Sequence, residues 1–89
     1  MLRKKCEIVN KLGLHARAAA KFVALAGRYE SSIEVMHKDR CVNGKSIMGV
    51  MMLAASKGTE IELIVSGPDQ VEALEALSQL IDQKFNEGE

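Results

Sequence analysis

The stretch Thr59-Glu60-Ile61-Glu62-Leu63-Ile64-Val65 places Ile61, Leu63 and Val65 on one parity, the pattern of a strand with one face turned to a core. A strand apolar on one side belongs to a sheet covered on one side, which is typical of antiparallel sheets. Three further segments fit the same sheet. In Leu2–Val9, Leu2, Cys6 and Ile8 share a parity opposite to Lys5 and Glu7, with Lys4 breaking the pattern near the exposed end. In Ile33-Glu34-Val35-Met36-His37, Ile33 and Val35 alternate with Glu34 and Met36. A turn at Lys38-Asp39 leads into a short strand, Arg40-Cys41-Val42, closed by the turn dipeptide Asn43-Gly44.

Between these strands the period changes to that of helices. From about Ala16 to Ala26 an alanine-rich run turns Ala19, Phe22, Val23 and Ala26 inward and Arg17, Lys21 and Arg28 outward, with Gly27 as its stop. Ser46 stands as N-cap to a second run, Ile47–Ala55, ended by Lys57-Gly58. Ile47, Val50, Met51 and Ala54 make one stripe, with Met51 expected inside, and Met48 and Met52 fall elsewhere, so this helix is apolar nearly all round. Ser66-Gly67-Pro68-Asp69 turns into the last helix, with Pro68 expected in its first turn. Its stripe is Val71, Leu74, Leu77, Ile81 and Phe85, with Glu72, Glu75, Gln79 and Asp82 outside, and Asn86-Glu87-Gly88-Glu89 is expected to fray.

The order βαββαβα describes an α+β fold of two layers, with three helices on one face of a four-stranded antiparallel sheet. Periodicity leaves the strand order open, and a ferredoxin-like arrangement with an extra helix fits as well. A chain of 89 residues has material for one core, so 1–89 reads as one domain.

Charge narrows the function. Lys plus Arg and Asp plus Glu are both 12, and the aromatic residues are Phe22, Tyr29 and Phe85, which argues against a nucleic-acid binder. Met1-Leu2-Arg3-Lys4-Lys5 is basic, but no long apolar run follows it to make a secretory signal or a membrane span, so a cytoplasmic protein is expected. Cys6 and Cys41 lie in strands without CxxC spacing and read as buried, reduced thiols. Gly44-Lys45-Ser46 suggests a phosphate-binding loop, but that motif needs another glycine where Asp39 stands. His37 reads as a solvent-facing strand residue, the carboxylates read as helix-face charges, and no metal or cofactor site emerges.

What remains is Gly13-Leu14-His15-Ala16-Arg17 at the doorway of the first helix. A helix start presents unpaired N–H groups and about half a positive charge, which suits an anion. A neutral imidazole is a competent nucleophile near neutral pH, its ordinary pKa being about 6.5. Arg17 adds a donor fork shaped for phosphate oxygens. The same residues also read simply as a polar residue near a cap with an arginine solvating the first turn.

This motif, the alanine-rich helix behind it and Gly44-Lys45-Ser46-Ile47-Met48 further on resemble the HPr family of phosphocarriers of the phosphoenolpyruvate-dependent phosphotransferase system, over essentially the whole chain. The resemblance implies an open-faced β-sandwich with sheet order 1-4-2-3. It implies that His15 is phosphorylated on Nδ1 by an enzyme I-type donor and passes the group to an enzyme IIA-type acceptor, assisted by Arg17. Ser46 matches a position that a dedicated kinase phosphorylates in some members, although an N-cap needs the same hydroxyl. Most sugar-branch members carry proline after the arginine. Ala18 stands there, and Asn10-Lys11-Leu12 with Ala18-Ala19-Ala20-Lys21-Phe22 is most like the nitrogen-branch carrier, NPr, which serves regulation.

A helix apolar on all sides in so small a domain exposes part of its surface. Met48, with Ile47 or Met52, is expected to form an apolar docking patch beside His15, rimmed by Lys11, Arg17, Lys21 and Lys45. The leading reading is a monomeric phosphocarrier, a transferase by nomenclature that converts no small molecule alone. A sugar-branch carrier and a binding module switched by phosphorylation are the alternatives.

Overall fold

The computed structural model describes residues 1–86. Along the chain run β1 (Leu2–Glu7), α1 (Ala16–Ala26), β2 (Ser32–His37), β3 (Arg40–Asn43), α2 (Ile47–Met52), β4 (Glu60–Ser66) and α3 (Gln70–Asp82). The sheet order is β1-β4-β2-β3 with every pairing antiparallel, as the resemblance implied. The register aligns one parity across the sheet: Cys6 lies opposite Ile61, Leu63 opposite Val35, and Val65 opposite Ile33. Those side chains meet Ala19, Phe22 and Ala26 of α1, Val50 of α2, and Ala73, Leu77 and Ile81 of α3 in one core. Each large apolar side chain so enclosed contributes about 1.5–3 kcal/mol. Lys4 shares the inward parity, and its stem runs out so that Nζ donates to Ser78 Oγ on α3 at 3.2 Å.

Several expectations are corrected. Cys6 is buried, but Cys41 is exposed. The pairing explains it: Val42 lies opposite the buried Val35, so Cys41, opposite Met36, takes the uncovered face. Val71 is 51% exposed, because α3 buries Ala73, Leu77, Leu80 and Ile81, and a residue two positions from Ala73 lies about 200° around the helix. Pro68 precedes the helix rather than entering it, since Asp69 is the N-cap. Asp69 makes no side-chain bond to its own helix. Its carboxylate instead accepts from the backbone N–H groups of Glu30 and Ser31, at 2.9 and 3.0 Å, and from Ser31 Oγ, tying α3 to the entry of β2. These donors hold its pKa below the usual carboxylate range, Ser31 Oγ being the main cause.

The helix ends also differ. Gly27 caps α1 with ordinary right-handed backbone, φ −67°, so its freedom as a glycine is not used. The second helix stops at Met52 instead of running to Ala55. Leu53 caps it, Arg40 Nη1 donates to the Met52 carbonyl at 2.8 Å, and Ala54 turns the chain left-handed at φ 51°. That exit buries Leu53 and Ala55, a gain that continued helix would forfeit. Phe85 reaches the core, but not as a further turn of α3: Lys84, Phe85 and Asn86 all have positive φ, between 55° and 60°, and this turn swings the ring inward. Of the tail expected to fray, Glu87 to Glu89 lie outside the described residues.

Candidate functional site

The loop between β1 and α1 is built around close approach. Gly13 has φ 65°, and a Cβ placed there would lie 2.4 Å from the Ala55 carbonyl oxygen and 2.8 Å from Ser56 Cα. Only glycine tolerates both the backbone conformation and the contact. Leu14 is buried, and its N–H donates to the Ala55 carbonyl at 2.8 Å. Asn10 is fully buried, its Nδ2 donating to the Gly13 carbonyl at 2.8 Å. Asn10 is not among the site residues expected from sequence, where it figures only in the Asn10-Lys11-Leu12 run. The available signal was parity, since residue 10 continues the inward series of Cys6 and Ile8.

His15 is the N-cap of α1. Its backbone is extended, φ −76° and ψ 178°, its carbonyl accepts from the Ala19 N–H at 2.9 Å, and its Nδ1 accepts from the Arg17 N–H at 3.3 Å. That contact requires a lone pair on Nδ1 and leaves the proton of the neutral ring on Nε2. The imidazole is half-buried, and Nδ1 is turned toward the helix start. The first N–H groups of α1, from Ala16, Arg17 and Ala18, have no acceptor one turn earlier in the helix. Arg17 is exposed, while Ala18 places its methyl in the core and keeps an N–H that proline would lack.

Helix α2 packs against α1 and shows its apolar side chains outward: Ile47 is 40% exposed, Met48 66% and Met52 58%. Met51, expected inside, is 38% exposed, and Val50 alone among the α2 residues is buried. A helix of six residues lying on β3 and α1 turns one residue, Val50, fully inward. Leu12, in the loop before His15, is 66% exposed. Ser46 caps α2, its Oγ accepting from the Gly49 N–H at 3.1 Å. Of the expected basic rim, Lys11 and Arg17 are exposed, whereas Lys21 Nζ donates to the Phe85 carbonyl at 2.7 Å and Lys45 Nζ to the Tyr29 carbonyl at 2.6 Å. Those two ammonium groups are held against their own chain, so their charge is fixed in place.

His37 does not face solvent as expected. It shares the parity of Ile33 and Val35, is half-buried, and lines a cleft with Arg40, Met52 and Leu53. Among the described residues, no three His, Cys, Asp or Glu side chains are gathered as a metal ion would need, and no helix is long and apolar enough to cross a membrane.

An open-faced antiparallel sandwich with a histidine capping its first helix, Nδ1 accepting from the Arg17 N–H, defines a class of protein that sets one imidazole at a helix N-terminus. A family model described as the PTS HPr component phosphorylation site matches residues 2–83. The phosphocarrier protein HPr of Neisseria meningitidis is 56% identical over 89 residues, all of both chains. That of Pseudomonas aeruginosa is 59% identical over 83 residues, 92% of each chain. A crystal structure of HPr from Thermoanaerobacter tengcongensis superposes with a TM-score of 0.94 at 47% identity, covering 98% of each chain. The chain belongs to the HPr family of phosphotransferase-system phosphocarriers.

Proposed function

We propose that the protein carries a phosphoryl group on His15, taking it from an enzyme I-type donor charged by phosphoenolpyruvate and giving it to an enzyme IIA-type acceptor. The carrying observation is the Nδ1 contact with the Arg17 N–H at the start of α1. The neutral ring attacks phosphorus through the Nδ1 lone pair, the Nδ1–P bond forming as the donor's bond to phosphorus breaks. The Arg17 N–H then turns from nitrogen to a phosphoryl oxygen, joined by the neighbouring N–H of Ala18 and the Arg17 guanidinium. Each such charge–dipole contact at an exposed helix start is worth about 0.3–1 kcal/mol. That is enough to steady the phosphohistidine and little enough to let it leave.

Met48, Ile47 and Met52 form the apolar docking surface, with Lys11, Arg17, Lys21 and Lys45 supplying positive charge toward acidic partners. The chain 1–89 acts as one monomeric, cytoplasmic domain, because the same face must meet donor and acceptor in turn. Ser46 serves α2 as its cap, which also leaves its hydroxyl where a kinase could add a phosphate at a helix start. Ala18 in place of proline supports the nitrogen branch, with the sugar branch as the alternative.

Incubation with phosphoenolpyruvate and an enzyme I-type donor from each branch tests the reading. An acid-labile, base-stable phosphate should appear on the wild type and not on His15→Ala. The nitrogen-branch donor should label it faster. Absence of label with both donors would remove the carrier function, and label that no acceptor discharges would favour the switched binding module.

A further inference from the structure

The loop that presents His15 is held from two sides, and one holder is a buried polar side chain with no part in the chemistry. Asn10 is 0% exposed, in a position that the parity of β1 turns toward the core. Burial of a primary amide costs free energy unless hydrogen bonds compensate it, so its presence there calls for a structural task. Its Nδ2 donates to the Gly13 carbonyl at 2.8 Å, and the backbone carbonyl of the same residue accepts from the Gly13 N–H at 3.3 Å. Asn10 therefore closes the loop on itself at Gly13. The next residue, Leu14, is fixed from the other side by the Ala55 carbonyl, and the residue after that is His15.

We propose that Asn10 is a positioning residue for phosphoryl transfer: by locking the peptide between Gly13 and Leu14 it sets the direction in which His15 enters α1, and so the aim of Nδ1. The inference rests on the phosphocarrier reading. The chain of contacts is short and directed. The Gly13 carbonyl belongs to the peptide plane whose N–H is that of Leu14, so Asn10 Nδ2 and Ala55 O grip the two polar ends of one peptide unit. A planar peptide held at both ends cannot rotate. The backbone of Leu14 and the extended His15 follow from it, and His15 Nδ1 reaches the Arg17 N–H only from that entry. Without Asn10 the plane pivots about the Ala55 bond, and the cap contact, already long at 3.3 Å, is the first to open.

Asn10→Ala tests this, compared with whichever of Ile81→Val and Ile81→Ala matches its thermal midpoint. Ile81 lies in the core on α3, remote from the loop in sequence, so it reports loss of stability alone. Steady-state phosphorylation by an enzyme I-type donor should show kcat reduced about 10- to 100-fold in Asn10→Ala with KM near the wild-type value, the signature of a misaimed nucleophile, while the Ile81 control keeps both. Native-state hydrogen exchange followed by NMR should show the Leu14 amide exchanging faster in Asn10→Ala relative to the amides of α3, and the Arg17 amide resonance shifted. A kcat equal to that of the Ile81 control would overturn the proposal. The wild type provides a check that survives failure of the variant to fold: the Asn10 side-chain amide protons should exchange slowly, and exchange at the rate of an exposed amide would overturn the latch. If no donor labels the wild type, the carrier reading fails, whereas the exchange measurements still decide whether the latch exists.

Discussion

The Leu14 N–H donates to the Ala55 carbonyl at 2.8 Å, which suspends the loop carrying His15 from the segment that leaves α2. The helix that exposes Ile47, Met48 and Met52 and the loop that displays the imidazole are thereby one mechanical unit. Ala54, with φ 51°, turns the chain so that Ala55 can make this contact. The proposed docking surface on α2 and the loop that presents His15 are thus linked through a backbone hydrogen bond.

Gly13→Ala should strike this unit hardest. A left-handed backbone costs a non-glycine residue about 1–2 kcal/mol, and the added Cβ would meet the Ala55 carbonyl oxygen at 2.4 Å. Urea unfolding should show a loss of at least about 2 kcal/mol. A loss below about 1 kcal/mol would mean that the loop lifts away from Ala55 at little cost.

Val50 and Met48 are neighbours on α2 with opposite roles. Val50 is fully buried, and Val50→Ala should cost about 2 kcal/mol in chemical denaturation while leaving the exposed side chains of α2 in place. Met48 is 66% exposed, and Met48→Glu should change stability by less than about 0.5 kcal/mol yet raise KM for donor or acceptor. Unchanged transfer kinetics for Met48→Glu would remove α2 as the docking surface.

Acid should loosen the tie between α3 and β2. The Asp69 carboxyl has a lowered pKa in the folded protein, chiefly from the Ser31 hydroxyl and then the Glu30 N–H. A depressed folded-state pKa contributes stability that is complete above the unfolded value of about 4 and is lost as pH falls through the folded value. The thermal midpoint of the wild type should therefore fall more steeply than that of Asp69→Asn below about pH 4. Parallel curves would show that the three donors do not favour the charged form.

The two cysteines should report the sheet's two faces. Cys41 is exposed and Cys6 buried, so a thiol reagent should modify one site promptly in the native protein and the second only on unfolding. Desolvation raises the pKa of both, with Glu34 adding to it at Cys41 and the Lys4 ammonium opposing it at Cys6. Reaction at Cys41 should accordingly quicken at a higher pH than that of a free cysteine, whose ordinary pKa is about 8.5. Peptide mapping that finds Cys6 modified first would contradict the β2–β3 register.

Local order was readable where it depends on local period. Ile61, Leu63 and Val65 face the core, a helix starts at Ala16, and Ser46 caps α2, because strand parity, alanine's helix preference and the capping hydroxyl act within a few residues. The resemblance, and not periodicity, supplied the strand order.

Other features exist only once distant segments meet. Cys41 faces outward because β3 pairs with β2 in the register that sets it opposite Met36. The second helix ends at Met52 because Leu53 and Ala55 gain burial by leaving it, and Phe85 enters the core through a left-handed turn that no helical stripe describes. At the site itself, residue types alone placed His15 and Arg17 together at a helix start. The tertiary structure decided which imidazole nitrogen turns to the helix, and fixed the loop between Asn10 and Ala55, since hydrogen bonds between segments far apart in the chain have no signature in the local pattern of either.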